Sequence, residues 1–297
     1  MLTFFSTPKP FTGHIGVIQR NALESWTRIH PGVEIILFGD DRGAAETCSE
    51  LNIRHEPHVP RNEHGTKYLA PIFDRAAELA RYDVLCYINC DIILLADYAW
   101  ALASLSRYHQ RFLMVGQRHD LDIREPLPFA SVDWQDQLRR RALLEGRLRP
   151  PQWIDYFTFS RDLYRNKVPP FVIGRPGWDN WLIWFARHSG SLVADVSSAV
   201  VAVHQNHDYS YHPDGEAGVW QGSEATQNYS LLENGRCFAT IQNATHRLTS
   251  RGVRRNLLHY PVIAGRRMRR ICDGAWFALL NFTRPLRHSL GLRKRRG

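Results

Sequence analysis

The chain has 297 residues, which is enough for one large α/β domain or two small ones. Hydrophobic residues make up 44% of it, as is typical of a globular protein, and no apolar run reaches the length of about 18 residues that predicts a membrane-spanning helix. The net charge of +9 is uneven, since residues 247–297 contain 14 Lys or Arg residues and one acid.

Short apolar runs alternate with amphipathic stretches, which predicts a layered α/β fold with a mixed, mostly parallel sheet flanked by helices. Strands are predicted at residues 2–5, 33–38, 84–88, 112–116, 156–159, 192–196 and 200–203. Helices are predicted at residues 14–29, 68–80 and 178–188, within the excursion 126–151, and near 253–259 and 263–280. The pattern predicts one domain over residues 1–246 and a basic, amphipathic helical tail over residues 247–297.

Two features favour a cytoplasmic protein. The first residues have the pattern of a strand and lack the basic region and small-residue cleavage site of a signal peptide. The five cysteines are scattered and contain no C-x-x-C pair, which favours reduced thiols over a disulfide framework or a zinc site.

Polar side chains follow the first two predicted strands. Thr7 and Lys9 come after the first strand, and Asp40 and Asp41 come after the second. Ligands of open α/β sheets bind beyond the carboxyl ends of the strands. Acids there can accept from a base or a ribose, and a lysine can meet a phosphate, so we predict that these four residues bind a nucleotide. The alternative for the two acids is that they only close a turn.

Two further segments are nucleotide-binding candidates. Lys67 precedes the helix predicted at 68–80 and can face a diphosphate, although an ordinary helix start capped by Thr66 is the alternative. Asp91 lies between two apolar runs, where a carboxylate is costly unless it is paired or bound to a metal. Mg²⁺ and Mn²⁺ prefer oxygen ligands and share them with substrate phosphates. We therefore predict that Asp91 ligates a divalent cation and that Asn89 binds the ribose or a water on the metal.

The segment GRPGWDNW opens the helix predicted at 178–188. Gly177 allows close approach of the backbone to a ligand. Asp179 falls in the first helical turn, which is expected to keep its carboxylate ionised. Tryptophan faces stack on the C–H surfaces of sugars, which favours a binding role for Trp178, although tryptophans at helical spacing are more typical of a core.

These motifs, in this order over residues 1–210, resemble the GT-A-fold glycosyltransferases of the nucleotide-diphospho-sugar transferase superfamily. GRPGWDNW and HQNHDYS also resemble segments of bacterial and plant glycosyltransferase-like proteins. Residues 85–94 are similar to the D-x-D region that holds the metal of the nucleotide-sugar, with Asn89 in place of the first acid. The resemblance implies a Rossmann-like sheet, a nucleotide-diphosphate sugar as donor, Mn or Mg as cofactor, and a glycan or lipid-linked acceptor.

The resemblance also implies roles for single residues. A histidine beyond the last core strand often completes the metal site of the family, a role that falls to His204 or His207, for which a hydrogen-bonded loop is the alternative. In inverting members an acid of the acceptor-side motif deprotonates the acceptor hydroxyl, and Asp179 occupies that place. The predicted acceptor-binding residues are Trp178, Asn180, Asp155 and Tyr156. If Asp179 only orients the acceptor, the transfer retains configuration and Asp155 or Asp208 gains importance.

The predicted function is metal-assisted, inverting sugar transfer to an acceptor hydroxyl in glycan or cell-surface polysaccharide biosynthesis. A sugar-1-phosphate nucleotidyltransferase shares the layered fold but would want a Gly-rich loop after the first strand, and residues 6–9 contain no glycine. A non-catalytic nucleotide-sugar-binding module is a third possibility. The basic tail interleaves arginines with apolar side chains, which favours peripheral association with an anionic membrane surface over nucleic-acid binding, with a solvated tail as the alternative.

Overall fold

The computed structural model describes residues 1–208 and 214–256, which belong to a compact unit that ends at Asn256. The helix predicted at 263–280 and most of the predicted tail lie outside the described residues. None of the helices within the described ranges is long and apolar enough to cross a membrane.

Strands and α-helices alternate as far as residue 88, and after it several strands follow one another without a helix between them. The strands are β1 (Thr3–Ser6), β2 (Glu34–Phe38), β3 (Arg54–Glu56), β4 (Val84–Ile88), β5 (Ile92–Ile93), β6 (Phe112–Val115), β7 (Arg118–Leu121), β8 (Arg147–Leu148), β9 (Tyr156–Ser160), β10 (Leu192–Asp195), β11 (Ala202–Gln205), β12 (His246–Thr249) and β13 (Gly252–Arg255). The α-helices are α1 (Gly13–Thr27), α2 (Ala44–Leu51), α3 (Leu69–Leu79), α4 (Asp97–Tyr108), α5 (Trp134–Leu144), α6 (Trp178–His188), α7 (Gly215–Gln221) and α8 (Ser223–Ser230).

A nine-stranded sheet forms the centre of the described residues, in the order β13-β12-β10-β6-β9-β4-β1-β2-β3. Most neighbouring pairs are parallel, and the antiparallel exceptions are the two pairs made by β9 and the terminal pair of β12 and β13. The mixed, mostly parallel sheet flanked by helices that the sequence predicts is therefore confirmed.

Both faces of the main sheet are covered, because side chains of a strand alternate between faces. In β1, Phe4 packs into a core with helices α1, α2 and α4, whereas Phe5 packs into a core with helices α3 and α6. The apolar runs of β4 divide in the same way. Burial on both faces explains why these strands have continuous apolar sequences.

A second, four-stranded sheet has the order β5-β11-β7-β8 and packs with α5 over a third apolar cluster. The strand predicted at 200–203 corresponds to β11 and belongs to this sheet rather than to the main one. The helix predicted near 253–259 is wrong over residues 252–255, which form β13. Since β12 and β13 join the main sheet, that sheet continues past residue 246.

Candidate functional site

The carboxyl ends of β1, β2 and β4 meet at one edge of the main sheet, because β1 lies between β2 and β4 and is parallel to both. The residues that follow these strands line a cleft of about 1370 Å³. Of the predicted nucleotide-binding residues, those on the cleft wall are Thr7, Lys9, Asp41, Lys67, Asn89 and Asp91. The strand pairing thus brings together what the sequence places far apart.

Lys67 ties the ends of β1 and β2 together. Its ammonium contacts the Asp41 carboxylate and donates to Thr7 Oγ1 at 2.7 Å and to the Pro8 carbonyl at 3.0 Å. Burial lowers the pKa of Lys67, although the charge of Asp41 opposes the shift. Gly39, at a φ of +117°, leaves room for this ammonium, since a Cβ there would lie 2.7 Å from Lys67 Nζ.

Asp40 lies at the rim, away from that cluster. It pairs with Arg61 at 2.6 Å, and its side chain is 68% exposed. Exposed ion pairs contribute little to stability, about 0–1 kcal/mol. Its role in nucleotide binding stays a prediction.

A candidate cation site forms where β4 and β11 end. The ligand atoms of Asp91, His204 and His207 lie within 4.8 Å of one another. Asp91 Oδ2 is 3.2 Å from His207 Nε2 and 3.8 Å from His204 Nε2. The sequence does not choose between the two histidines, and the geometry brings both to the same carboxylate.

The donor set of this cluster fits a divalent cation. Asp91 Oδ1 is buried and has no hydrogen-bond partner among the described residues, a costly state that a bound cation would relieve. His207 Nδ1 lies 2.7 Å from the Asp208 carbonyl and must donate to it, so Nε2 carries the lone pair of the neutral ring. That lone pair can accept from Lys9 Nζ at 3.3 Å or bind a cation. One carboxylate and two imidazoles suit Mn²⁺ as a ligand set.

Asp91 is held in its ionised form. Burial opposes ionisation, but His204, His207 and Lys9 outweigh burial and keep the pKa of Asp91 well below its usual value. Burial lowers the pKa of Lys9, against the opposing attraction of Asp91. The cluster therefore combines the negative charge of the Asp91 carboxylate with the neighbouring Lys9 side chain.

Helix α1 positions the segments that carry Lys9 and Asp91 through side chains that were not predicted as site residues. Gln19 accepts from the Lys9 backbone N–H at 2.7 Å and donates to its carbonyl at 2.8 Å. Asn21 donates to Gln205, whose amide in turn donates to the Asp91 carbonyl at 3.2 Å. Gln19 and Asn21 are buried. In the sequence, two amide side chains beside the apolar positions of α1 were the only indication that this helix contacts the site.

Asn89 and Asp155 are bonded to each other. Asn89 donates its side-chain amide to Asp155 Oδ1 at 2.7 Å and its backbone N–H to the Asp155 carbonyl at 2.9 Å. The other carboxylate oxygen of Asp155 contacts Arg118. An acid at position 89 would face the Asp155 carboxylate, which gives a physical reason for the amide in the N-x-D segment.

Asp179 also lies on the cleft wall, in the first turn of α6. It accepts from the Gly177 backbone N–H at 3.2 Å. Burial raises its pKa to about 7, the charge of Asp155 adds to the shift, and backbone N–H groups oppose it. The expectation that the helix N-terminus keeps Asp179 fully ionised is therefore wrong, because burial outweighs the helix end. A carboxyl that titrates near neutral pH is suited to general base catalysis.

Three predicted acceptor-binding residues are largely built into the core. Trp178 is 5% exposed and packs against the rings of Tyr87 and Phe157, although an edge of it reaches the cleft. Asn180 donates its amide to the Ala239 carbonyl at 2.9 Å. Tyr156 is fully buried, so the prediction that it binds an acceptor is wrong: it faces the core side of β9.

A different aromatic pair lines the cleft. Trp153 and Trp220 are half-buried, and their ring centroids are 5.3 Å apart. The guanidinium of Arg149 lies 4.0 Å from the centroid of Trp153. Neither tryptophan lies in a motif or in a predicted strand or helix, so neither was predicted to bind a ligand.

Comparisons with known proteins find similar folds but no relative in sequence. No protein-family model matches the chain, and no curated protein matches it. Residues 1–349 of TarS from S. aureus are 12% identical over 69% of this chain, with a TM-score of 0.45. The chain covers about 60% of that fragment. Glucosyl-3-phosphoglycerate synthase of M. tuberculosis, with Mn²⁺, UDP-glucose and phosphoglyceric acid, is 16% identical over 80% of this chain and 79% of its own, with a TM-score of 0.47.

Proposed function

We propose that the chain is a GT-A-type glycosyltransferase that moves a sugar from a nucleotide-diphosphate donor to an acceptor hydroxyl. One observation carries the proposal. The same cleft contains a carboxylate held ionised beside two histidines and a second carboxyl whose pKa is about 7. Transfer of a sugar from a nucleoside diphosphate needs a site that stabilises the charge of the leaving diphosphate and a base that takes the proton of the acceptor hydroxyl.

The donor side consists of Asp91, His204 and His207, which would hold Mn²⁺ or Mg²⁺. When bound, the cation would supply positive charge to the donor diphosphate. Lys9 lies beside the cluster and adds a second positive charge. The predicted contacts with the base and ribose fall to Thr7, Asp40, Asp41 and Asn89, and Lys67 is a predicted contact of the diphosphate.

The acceptor side centres on Asp179. Its carboxylate takes the proton from the acceptor hydroxyl as the acceptor oxygen forms a bond to the anomeric carbon. The bond from that carbon to the phosphate oxygen breaks, and the nucleoside diphosphate leaves with the electron pair. Attack opposite the leaving group inverts the anomeric configuration. Trp178, Asn180 and Asp155 are the remaining candidates for contact with the acceptor, which we infer to be a glycan or a lipid-linked sugar.

A donor panel tests this function. The purified protein is incubated with nucleotide-sugars and Mn²⁺, with UDP-glucose and UDP-GlcNAc first, and products are followed by chromatography and NMR. A transferase releases free nucleoside diphosphate and makes a glycoside of inverted configuration. Release of pyrophosphate would show a nucleotidyltransferase instead, and binding without any product would show a non-catalytic module.

We further infer that the basic tail brings the enzyme to an anionic membrane surface at the cytoplasmic face. Residues 247–297 carry the 14 cationic side chains, and charge of this density favours anionic lipid. The test is co-sedimentation of the full chain with phosphatidylserine vesicles. Changing Arg266, Arg267, Arg269 and Arg270 to Gln should reduce pelleting, and added salt should do the same. Equal pelleting of both proteins would contradict the inference.

A further inference from the structure

The polar residues of β7 connect the cation cluster to the rest of the cleft wall. Alternate residues of a strand share a face, so Arg118 and Asp120 project together. β7 is parallel to β11, and the register places Asp120 opposite His204. The sequence analysis assigned no role to either β7 residue.

Asp120 is contacted by one imidazole and two guanidinium groups. Its Oδ1 lies 3.3 Å from His204 Nδ1 and 2.9 Å from Arg118 Nε, and its Oδ2 lies 3.0 Å from Arg149 Nε. The Asp120 side chain is 13% exposed and that of Arg118 is 7% exposed. Arg118 also contacts the Asp155 carboxylate. A nearly buried carboxylate between two arginines stays ionised, because each guanidinium favours the charged form.

An ionised carboxylate only accepts hydrogen bonds, so it favours a proton on the ring nitrogen nearest to it, and of the two carboxylates beside His204 that of Asp120 is the nearer. His204 Nδ1 is shielded from water and has no aligned hydrogen bond among the described residues, and the Asp120 carboxylate oxygen 3.3 Å away is the acceptor that it contacts. A proton on Nδ1 leaves the lone pair on Nε2, the nitrogen that lies 3.8 Å from Asp91 Oδ2. Partners of this kind fix the orientation of a metal-ligating histidine and raise its basicity.

We propose that Asp120 is a positioning residue that holds His204 in its Nδ1–H form, and that Arg118 and Arg149 hold Asp120 in place. The proposal rests on the proposed function, since the cluster that His204 serves is the cation site of the donor. In this arrangement Asp120 acts through His204. Its effect is to present Nε2 of His204 to the cation at no cost in ring reorientation.

A purely structural role for Asp120 is the competing explanation, because its contacts also link β7 to β11 and to Arg149. That role predicts a change in thermal stability alone. The positioning role predicts a change in the tautomer of His204 and in cation affinity. The two roles are separable by measurements that do not depend on activity.

The first measurement needs no variant. Long-range ¹H–¹⁵N NMR of the metal-free, full-length protein at about pH 8, where a free imidazole is neutral, reports which nitrogen of His204 carries the proton. His204→Gln assigns the signal. We expect the Nδ1–H form, and a predominant Nε2–H form would overturn the proposal whether or not the protein binds metal.

The second measurement is Mn²⁺ affinity by electron paramagnetic resonance for the wild type, Asp120→Asn and Asp122→Asn. Asp122 is the matched control, because it lies just beyond β7 with an exposed side chain. Asp120→Asn should weaken Mn²⁺ binding about 10–100-fold, the loss typical of such partners, and Asp122→Asn should not change it. Equal affinity of the wild type and Asp120→Asn would overturn the positioning role and leave the cation site standing. Failure of the wild type to bind Mn²⁺ would remove the proposed cation site, and the tautomer measurement would still decide the role of Asp120.

Discussion

The pKa values of two carboxyl groups on the cleft wall, Asp91 and Asp179, are shifted in opposite directions. The pKa of Asp91, at the end of a strand, lies well below its usual value, whereas the pKa of Asp179, at the start of a helix, is raised to about 7. Burial raises the pKa of both groups, so their partners make the difference. Asp91 faces His204, His207 and Lys9, and Asp179 faces backbone N–H groups and the negative charge of Asp155.

This contrast separates two kinds of work. A carboxylate that keeps its charge can hold a cation, and a carboxyl that titrates near neutral pH can exchange a proton with a substrate. The contrast also shows that a helix N-terminus with a few N–H donors does not offset the burial of a carboxylate, whereas nearby charged side chains do. A substitution of Asp91 or of Asp179 can therefore be compared with a substitution of the other.

The largest effect is expected for Asp91→Asn. The amide keeps the shape of the side chain but removes the charge that would hold a cation, so Mn²⁺-dependent nucleotide binding should weaken by at least about 100-fold. Calorimetric titration of UDP or GDP with Mn²⁺ present measures the change. Asp179→Asn is the control and should bind as the wild type does. Equal affinity of Asp91→Asn and the wild type would exclude Asp91 as a cation ligand.

Asp179→Asn should act on the other side of the contrast. Removing the base should lower kcat by at least about 100-fold, with little change in donor affinity, because the loss is confined to the transition state. Steady-state kinetics with the best donor and acceptor from the panel provides the test. Asp208→Asn serves as a control for the alternative acid. A nearly active Asp179→Asn variant, or a product of retained configuration, would remove Asp179 from the catalytic role.

The pH dependence of kcat/KM should report Asp179 directly. Asp179 works as a base only when ionised, and its pKa is about 7. The rate should therefore rise about tenfold per pH unit below pH 7 and level off above it. Asp91 is ionised throughout this range and should contribute no limb of its own. A flat profile from pH 5 to 8 in the wild type would contradict the raised pKa or the role of Asp179.

The sequence predicts the main sheet well, for a physical reason. Strands buried on both faces have apolar runs, which identify β1, β2, β4, β6, β9 and β10, and helix α6 has the predicted bounds. The polar residues that follow these strands converge because parallel strands end at the same edge. Asp91 was therefore within reach of sequence reasoning, whereas His204 and His207 belong to β11 of the second sheet and the residues after it, and were predicted only from the family resemblance.

The pairing and register of the strands could not be predicted from the sequence. β7 has the sequence RHDL, which shows no apolar alternation, so Arg118 and Asp120 gave no signal. Their contact with His204 depends on the register of β7 against β11, two strands more than 80 residues apart in the sequence. Tyr156 was misassigned because its neighbour Asp155 faces the cleft, and successive residues of an extended segment point to opposite sides.

The smallest effect, on stability, tests the contrast without any substrate. The pKa of Asp179 is about 7 in the folded protein and near 3.8 in a free side chain, so the folded state binds the extra proton between these values. Its contribution to the free energy of unfolding is therefore greatest below about pH 4 and is lost as the pH rises through 7. Asp179→Asn carries no charge at any pH, so its Tm should match the wild type below about pH 4 and exceed it by a growing margin as the pH rises to 8. Each kcal/mol regained is worth roughly 2–4 °C in a domain of this size.

Asp91→Asn should do the reverse, because it removes a charge that its partners stabilise, and should lower Tm at neutral pH. If both variants shift Tm in the same direction near pH 8 in metal-free thermal melts, the two carboxyl groups do not differ in the way the structure indicates.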